Sequence, residues 1–415
     1  MARTRKINKN LIVGLDIGTS KIVTIVGQIT PDEQIEIIGI GSHPSRGLKR
    51  GVVVDIESTM QSIQAAAAEA ELMAGCEIHS AFTGIAGNHV RGLNSHGIVA
   101  IRDYEVSQAD VDRVIEAAQA VAIPADQRIL HVLPQEFIID NQEGIREPIG
   151  MSGVRLEAKV HMVSAALSAA QNIIKCVRQC GLDVGDIILE QLASSHAVLT
   201  DDEKELGVCI VDIGAGTTDI AIFTNGAIRH TAIIPIAGDQ VTNDIAIALR
   251  TSTQAAEEIK IEYGSALPEM AGHNERISVP GVSGRPNRDI SKRNLADVIE
   301  ARYEELFRLI QGEIRRSGLE DLIPAGYVLT GGAAKLHGVV ELAEAVFDLP
   351  VRLGVPQYVS GLSEVTSNPI YATGVGLLLY GYQQQKQGTS SSRMLSNGGA
   401  KGMWLRVKDW FSGNF

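Results

Sequence analysis

Two short stretches of this chain bring together residue types that can handle phosphate. "VGLDIGTSK" (Val13–Lys21) and "IVDIGAGTTD" (Ile210–Asp219) each set Asp-Ile-Gly directly after an apolar run. Gly18 and Gly214 leave room for backbone to approach a ligand. Thr19, Ser20 and Lys21 in the first, and Ala215, Gly216, Thr217 and Thr218 in the second, add N–H and hydroxyl donors, the makings of a phosphate cradle. Asp16 and Asp212 fall at strand ends, where a carboxylate holds a hydrated Mg²⁺ directly or through water. Lys21 adds a point charge for a phosphate oxygen. One such stretch alone also reads as an ordinary β-turn. Two copies, each bounded by strands and lying a whole domain apart, predict two similar β-sheet domains with one nucleotide clamped between their loops.

Neither stretch is a G-x-x-x-x-G-K-[ST] loop, and neither is a G-x-G-x-x-G dinucleotide fingerprint. A third glycine site, Gly331-Gly332-Ala333 after "YVLT", is expected to end a strand, start a helix and take the ribose or α-phosphate. Taken alone, a strand-to-helix turn that merely needs glycine is the preferred account.

The elements that must position these loops follow from the apolar pattern. Strands are expected at Leu11–Gly14, Ile22–Ile29, Ile35–Ser42 and His79–Ala86, with a helix over Ile56–Met73. From about Asn88 to Lys159 short alternating strands surround one helix at Gln108–Ala122, a small α+β unit inserted into the first domain. A long helical pattern resumes over Met162–Cys180 and stops at Gly181. A buried strand at Val208–Asp212 leads into a hairpin turned at Asn225-Gly226. After Gly238 the pattern is mainly helical, apart from a polar stretch at Pro280–Asp289. "PIYATGVGLLLYGY" reads as a helix with glycines for close packing. The stretch "QQQKQGTSSSRMLSNGGA" then has linker composition.

Composition narrows the function. The 415 residues carry a formal net charge of -12, which opposes binding to a phosphate backbone. The four cysteines have no metal-site spacing and suit buried, reduced thiols. The basic N-terminus lacks the apolar core of a signal peptide, and no apolar run is long enough to span a bilayer.

Five elements in order resemble the actin–hexokinase–DnaK ATPase superfamily. They are phosphate loop 1 (Asp16–Lys21), a connecting helix (Ser164–Cys180), phosphate loop 2 (Asp212–Thr218), an adenosine motif (Leu329–Ala334) and a second, Gly-rich connecting helix (Pro369–Gly381). Within that superfamily nearly the whole chain resembles the bacterial cell-division family FtsA. The inserted block, with "SHGIVAI" and "HVLPQEFIIDNQEGIREPIGMSG", resembles that family's own subdomain. The resemblance implies an α/β actin-like fold, two RNase H-like sheet domains around a nucleotide cleft, with an inserted α+β subdomain and a C-terminal amphipathic helix. Domain I is expected at 1–87, 160–198 and 358–382, and the insert at 88–159. Domain II is expected at 199–240 and 322–357, with a helical subdomain at 241–321. A flexible linker at 383–400 and a membrane-targeting helix at 401–415 complete the chain.

The resemblance also supplies roles. Glu190 would orient a water on the γ-phosphate, with Asp16 and Asp212 completing the catalytic set. The family usually has Pro after this Glu, where this chain has Gln191. Gly238 and Asp239 would approach the phosphates, and Glu257 and Lys260 the nucleoside; the last two also suit a solvated i,i+3 ion pair. The implied cofactors are ATP and Mg²⁺, with slow or absent hydrolysis. The implied partners are further copies of the chain, lipids of the cytoplasmic membrane, other division proteins and the C-terminal tail of FtsZ. That tail is expected on Arg288, Arg293 and Arg302, part of a cationic stretch in an otherwise acidic protein. The implied setting is the inner face of the cytoplasmic membrane at the division septum, where the chain would polymerise, tether FtsZ and help assemble the Z-ring. A sugar kinase of the same fold is the alternative; no sugar-kinase signature is present. A chaperone of the DnaK type would need a substrate-binding β domain after the core.

The tail "KGMWLRVKDWFSGNF" holds both tryptophans. On a helix its Trp404, Val407, Trp410 and Phe411 share one face, which suits either a lipid interface or packing back on the protein.

Overall fold

The computed structural model describes residues 10–272, 275–282 and 285–391. The chain opens with a meander, β1 (Leu11–Ile17), β2 (Lys21–Ile29) and β3 (Ile35–Pro44). A two-residue pair, β4 (Leu48–Lys49) and β5 (Val52–Val53), precedes α1 (Ile56–Ala74). Asp55 caps α1 by accepting the Glu57 and Ser58 N–H groups, and Gly75 ends it in the left-handed region. Then come β6 (Ser80–Ile85), β7 (Arg91–Ala100), α2 (Gln108–Gln119), β8 (Gln127–Ile139), β9 (Gln142–Ile145) and β10 (Arg155–Ala166). Next are α3 (Leu167–Gln179), β11 (Asp183–Leu189), α4 (Glu190–Val198) and α5 (Asp201–Leu206). A second meander follows: β12 (Val208–Ile213), β13 (Thr218–Thr224) and β14 (Ala227–Ile234). Beyond it lie α6 (Gly238–Leu249), α7 (Thr253–Tyr263), a hairpin of β15 (Arg276–Val279) and β16 (Arg288–Ser291), and α8 (Lys292–Ser317). The chain continues through β17 (Tyr327–Thr330), α9 (Val339–Phe347), β18 (Val351–Leu353), β19 (Val359–Gly361), α10 (Ser363–Thr366) and α11 (Ala372–Ser391).

The described residues divide into two units, 10–85 with 168–198 and 355–391, and 86–167 with 199–354. The first unit is built on a six-stranded sheet of order β11-β6-β1-β2-β3-β19. Glycines let helices lie close on it: a Cβ at Gly41 would strike the backbone of Ala66 and Ala70 in α1, and one at Gly14 the carbonyl of Gly374 in α11.

The second unit repeats this plan with the order β14-β13-β12-β17-β18. In each sheet the meander strands pair antiparallel, and the next two strands add in parallel. The core of the second unit gathers Val211, Ile213, Ile220 and Ile222 with Ile299, Tyr303, Phe307 and Ile310 of α8. Removal of such side chains from water is the main force holding sheet and helix together.

The insert forms its own sheet, β7-β10-β8-β9. One face is covered by α2, with Val114, Ile115, Ala118, Val132, Phe137 and Val160 buried between them. By chain order the insert interrupts the first domain, but it belongs to the second unit. Asn94 Nδ2 donates to the Arg229 carbonyl at 3.1 Å, and Gln135 Nε2 to the Ile228 carbonyl at 3.0 Å. Arg146 of the insert also donates to the Asn225 carbonyl at the hairpin turn.

Two expectations are corrected. The helical pattern read from Met162, and from Ser164 as a connecting helix, begins at Leu167; residues up to Ala166 belong to β10, which pairs with β7 and β8 across the 159/160 boundary. "HMVSAA" is apolar enough for either state, and partners on both sides decide for strand. The linker expected from residue 383 begins as helix, since α11 continues to Ser391. Tyr382 Oη donates to the Glu33 carbonyl at 2.9 Å, and Lys386 pairs with the Glu33 carboxylate at 2.6 Å. Residues 401–415, including the amphipathic tail, lie outside the described residues.

Candidate functional site: two Asp-Ile-Gly turns

The two turns have the same register. Ile17 pairs with Ile22 around Gly18–Lys21, and Ile213 pairs with Thr218 around Gly214–Thr217. A Cβ at Gly18 would lie 2.9 Å from the Lys21 carbonyl, and one at Gly214 3.2 Å from the Thr217 carbonyl. In both, glycine lets the fourth residue of the turn fold over the first. Turn geometry and ligand access therefore ask for the same residue.

In the first unit, Asp16 is buried at the end of β1 and Thr19 Oγ1 accepts the Gly51 N–H at 3.1 Å. Ser20 is exposed. The Lys21 ammonium sits 4.6 Å from the centre of the Tyr371 ring, a cation–π contact that steers the lysine. Glu190 opens α4 directly after β11, and its side chain lies over Gly84, where a Cβ would come within 2.8 Å of Glu190 Cγ. Gln191 is the second residue of that helix, a first-turn position where the Pro implied by the resemblance would also be tolerated.

In the second unit, the buried Asp212 lies opposite Asp219 on β13. Thr217 Oγ1 donates to Asp219 Oδ2 at 2.8 Å. The Gly214 N–H donates to the Thr217 carbonyl at 3.0 Å. The Gly238 N–H donates to the Gly214 carbonyl at 3.1 Å, and the Asp239 N–H to the Ala215 carbonyl at 2.8 Å. The start of α6 is thus laced to the turn, with Gly216 buried within it. Asp239 is open to solvent at its surface, yet the protein hemming it in pushes its carboxyl above the ordinary range; Lys260 opposes that shift and Glu257 adds to it.

Glu257 and Lys260 form an ion pair at 2.7 Å. Lys260 Nζ also donates to Thr242 Oγ1 at 2.8 Å and to the Gly238 carbonyl at 3.2 Å, and Thr242 donates to Glu257. The pair is thus not a solvated one, since Lys260 is largely buried, and it fastens the turn at Gly238.

Gly331 has φ +87, a left-handed conformation that favours glycine. A Cβ there would strike Asp212 Oδ1 and the Ile213 carbonyl. The expectation that Gly331-Gly332 starts a helix is corrected. A single 3₁₀ turn, Ala333–Lys335, follows, and α9 begins only at Val339 after Gly338. Leu336 leaves the helical region with ψ 136, which separates the two.

The cationic stretch is also not a free patch. Arg302 pairs with Asp244 and Glu305, Arg308 with Glu304, and Lys292 with Glu275, while Arg288 donates to the Leu249 carbonyl. Arg293 is exposed on α8. Counting cations along the chain misses the acids that folding sets beside them.

Sequence reasoning passed over Asp219, Thr242 and Tyr303. The signal for Asp219 was present, since a second aspartate closes "IVDIGAGTTD". Nothing in the sequence ties Tyr303, on a different helix, to the Gly331 turn. Among the described residues no group of three or more His, Cys, Asp or Glu is placed to hold a metal, and no helix is long and apolar enough to cross a membrane.

Two like sheets, each with an Asp-Ile-Gly turn at its meander, define an actin-like fold. A chain of the PilM–PilN type IV pilus biogenesis complex is similar at 18% identity with TM-score 0.65, over 89% of this chain and 98% of that one. MreB5 of Spiroplasma citri bound to ADP is similar at 14% identity with TM-score 0.54, over 92% and 99%. At such identities the likeness concerns the fold. The family model for cell division protein FtsA matches residues 209–376, and that for the SHS2 domain inserted in FtsA matches 87–164. Cell division protein FtsA of Pseudomonas aeruginosa is 68% identical over 98% of both chains. That of Neisseria meningitidis is 49% identical over 97% of this chain and 98% of its own, and that of Escherichia coli K12 45% over 98% and 99%. This chain belongs to the FtsA family of cell-division proteins.

Proposed function

We propose that this chain binds ATP with Mg²⁺ through its two Asp-Ile-Gly turns, self-associates head to tail on the cytoplasmic face of the membrane at the division site, and tethers FtsZ there. The observation that carries the nucleotide reading is the shared four-residue register of the turns on two sheets of the same strand order. A phosphate cradle serves nucleotide binding in a fold whose MreB5 relative is described in ADP- and AMPPNP-bound forms. Asp16 and Asp212 are the residues that would hold the metal, which would neutralise phosphate charge. Around it Lys21 would meet a phosphate oxygen, the Thr19 hydroxyl and the turn N–H groups would donate, and Glu190 would orient a water. Membrane and FtsZ attachment rest on the family and on the amphipathic tail pattern. A contact that does not close on itself produces filaments, and the insert is the surface proposed for one side of it.

The test is nucleotide affinity in the double variant Gly18→Val, Gly214→Val, with circular dichroism to verify folding. Each added side chain crowds the carbonyl that closes its turn, so binding should be lost. A folded double variant with undiminished ATP affinity would rule the cradles out.

A further inference from the structure

We propose that Tyr303 is a positioning residue for the nucleotide: from inside α8 it fixes the backbone of the Gly331–Ala333 turn against which adenosine binds. The inference rests on the ATP reading above and assigns a role to a residue outside the three loop motifs.

Tyr303 is a core side chain, 1% exposed, packed between sheet and helix in the second unit. Its hydroxyl donates to the Ala333 carbonyl at 2.8 Å. The other donor to that carbonyl, the Leu336 N–H, is long at 3.4 Å. Burial pushes the phenol well above its ordinary value, so it stays a neutral donor at any working pH. The turn itself is short and irregular. Gly331 is in the left-handed region, Gly332 is helical, and one 3₁₀ turn ends at Leu336. Such a segment has few internal hydrogen bonds to define it and depends on what surrounds it.

Three elements surround it. The end of β12 blocks one side, because Gly331 sits directly on Asp212 Oδ1 and the Ile213 carbonyl. The start of α6 blocks another, because a Cβ at Gly238 would meet Ala333 Cβ at 3.4 Å. These two carry the phosphate-side residues. The third is α8, and Tyr303 supplies its polar contact with Ala333. The preceding residue, Arg302, pairs with Asp244 on α6. One turn of α8 thus holds both the Ala333 turn and the helix that begins at the phosphate side.

A buried phenol carrying its partner is common in cores, so the test must separate positioning from packing. Tyr303→Phe keeps the ring and removes only the hydroxyl. Phe307→Leu is the control: Phe307 is fully buried with its ring 5.9 Å from Tyr303, and its loss weakens the same core without touching the hydrogen bond. Both are made in the full chain, and ATP affinity and thermal midpoint are measured for each. Tyr303→Phe is expected to weaken ATP on the order of five- to tenfold, the scale of one hydrogen bond, and to speed amide exchange at residues 331–336 in the protein without nucleotide. Phe307→Leu is expected to lower the midpoint and leave ATP affinity within twofold. ATP affinity within twofold of wild type in Tyr303→Phe would overturn the inference, and so would an equal loss in both variants. Wild-type protein that bound no ATP would instead overturn the nucleotide reading, and this inference with it.

Discussion

His161 Nε2 lies 2.9 Å from Thr231 Oγ1, while its Nδ1 lies 2.7 Å from Asn94 Oδ1. A carboxamide oxygen can only accept, so Nδ1 carries the proton and Nε2 accepts from the threonine hydroxyl. Gln135 Nε2 also donates to Asn94 Oδ1, at 3.1 Å. Strands β7, β8 and β10 of the insert therefore each place one polar side chain on the seam with β14. A seam of directional bonds fixes register more strictly than an apolar one.

The same ring predicts an acid response. Burial first, and then nearby His230 and His131, depress the His161 pKa to about 3. Around this group, His230 is paired with Glu313 on α8 and Glu136 lies near Arg229. An unfolded histidine titrates near 6.5, so below that pH the unfolded chain binds a proton that the folded chain refuses. The contribution of His161 is intact at pH 7 and falls by roughly 1.4 kcal/mol per unit between about 6.5 and 3. Urea denaturation at pH 7.5 and 5.5 should show a loss of about 1 kcal/mol from this group. His161→Leu should flatten that slope and cost about 2 kcal/mol at pH 7.5 by stranding Asn94 and Thr231. The same slope in both proteins would clear His161.

Much of this architecture was legible because one pattern occurs twice. "DIGTS" and "DIGAGTT" sit between apolar runs of strand length, and local turn chemistry fixes both hairpins. Asn225 and Gly226, with φ +52 and +71, likewise mark their turn from sequence. Features set by distant partners were not legible. Met162–Ala166 could be helix or strand until β7 and β8 pair with it. The insert's attachment to β14 depends on residues such as Gln135 and Ile228, far apart in the chain. Arg302 and Lys292 looked free because their partners Asp244 and Glu275 lie far from them in the chain.

Glu190 yields the second prediction. It heads α4 with its side chain over Gly84, outside the turns that would hold phosphate. Glu190→Gln keeps the size and shape but removes the charge that would orient water and turns one acceptor oxygen into a donor. ATP affinity should stay within about twofold, and any hydrolysis should fall at least ~10-fold. Unchanged turnover, read by phosphate release, would take Glu190 out of the mechanism.

The cationic residues of α8 separate into two kinds. Arg302 is committed to Asp244 and Glu305, whereas Arg293 is exposed. Arg302→Glu should therefore destabilise the protein by roughly 1 kcal/mol or more, by setting like charges together. Arg293→Glu should leave the thermal midpoint unchanged and weaken an acidic, carboxylate-ended peptide in a salt-dependent way. Peptide titrations at two ionic strengths decide it. Full affinity in Arg293→Glu would move the peptide site away from this end of the helix.

The last prediction concerns the tail, which lies beyond the described residues and rests on its sequence. Wound at ~100° per residue, Met403, Trp404, Val407, Trp410 and Phe411 fall within roughly 120°, with Lys401 and Lys408 along one edge and Arg406 near the other. Leu405 alone among the large apolar residues falls off that face. The segment is too short to span a bilayer, so it would lie in the headgroup plane. Burying its apolar face is worth several kcal/mol at ~25 cal/mol/Å², less the cost of ordering the segment. Each copy alone would bind weakly, and self-association would multiply the effect through avidity. Nucleotide that favours assembly would thereby favour the membrane without contacting lipid. Trp404→Glu with Trp410→Glu should release the protein from anionic vesicles at every concentration and leave ATP affinity unchanged. Co-sedimentation of that double variant with lipid would place the anchor elsewhere in the chain.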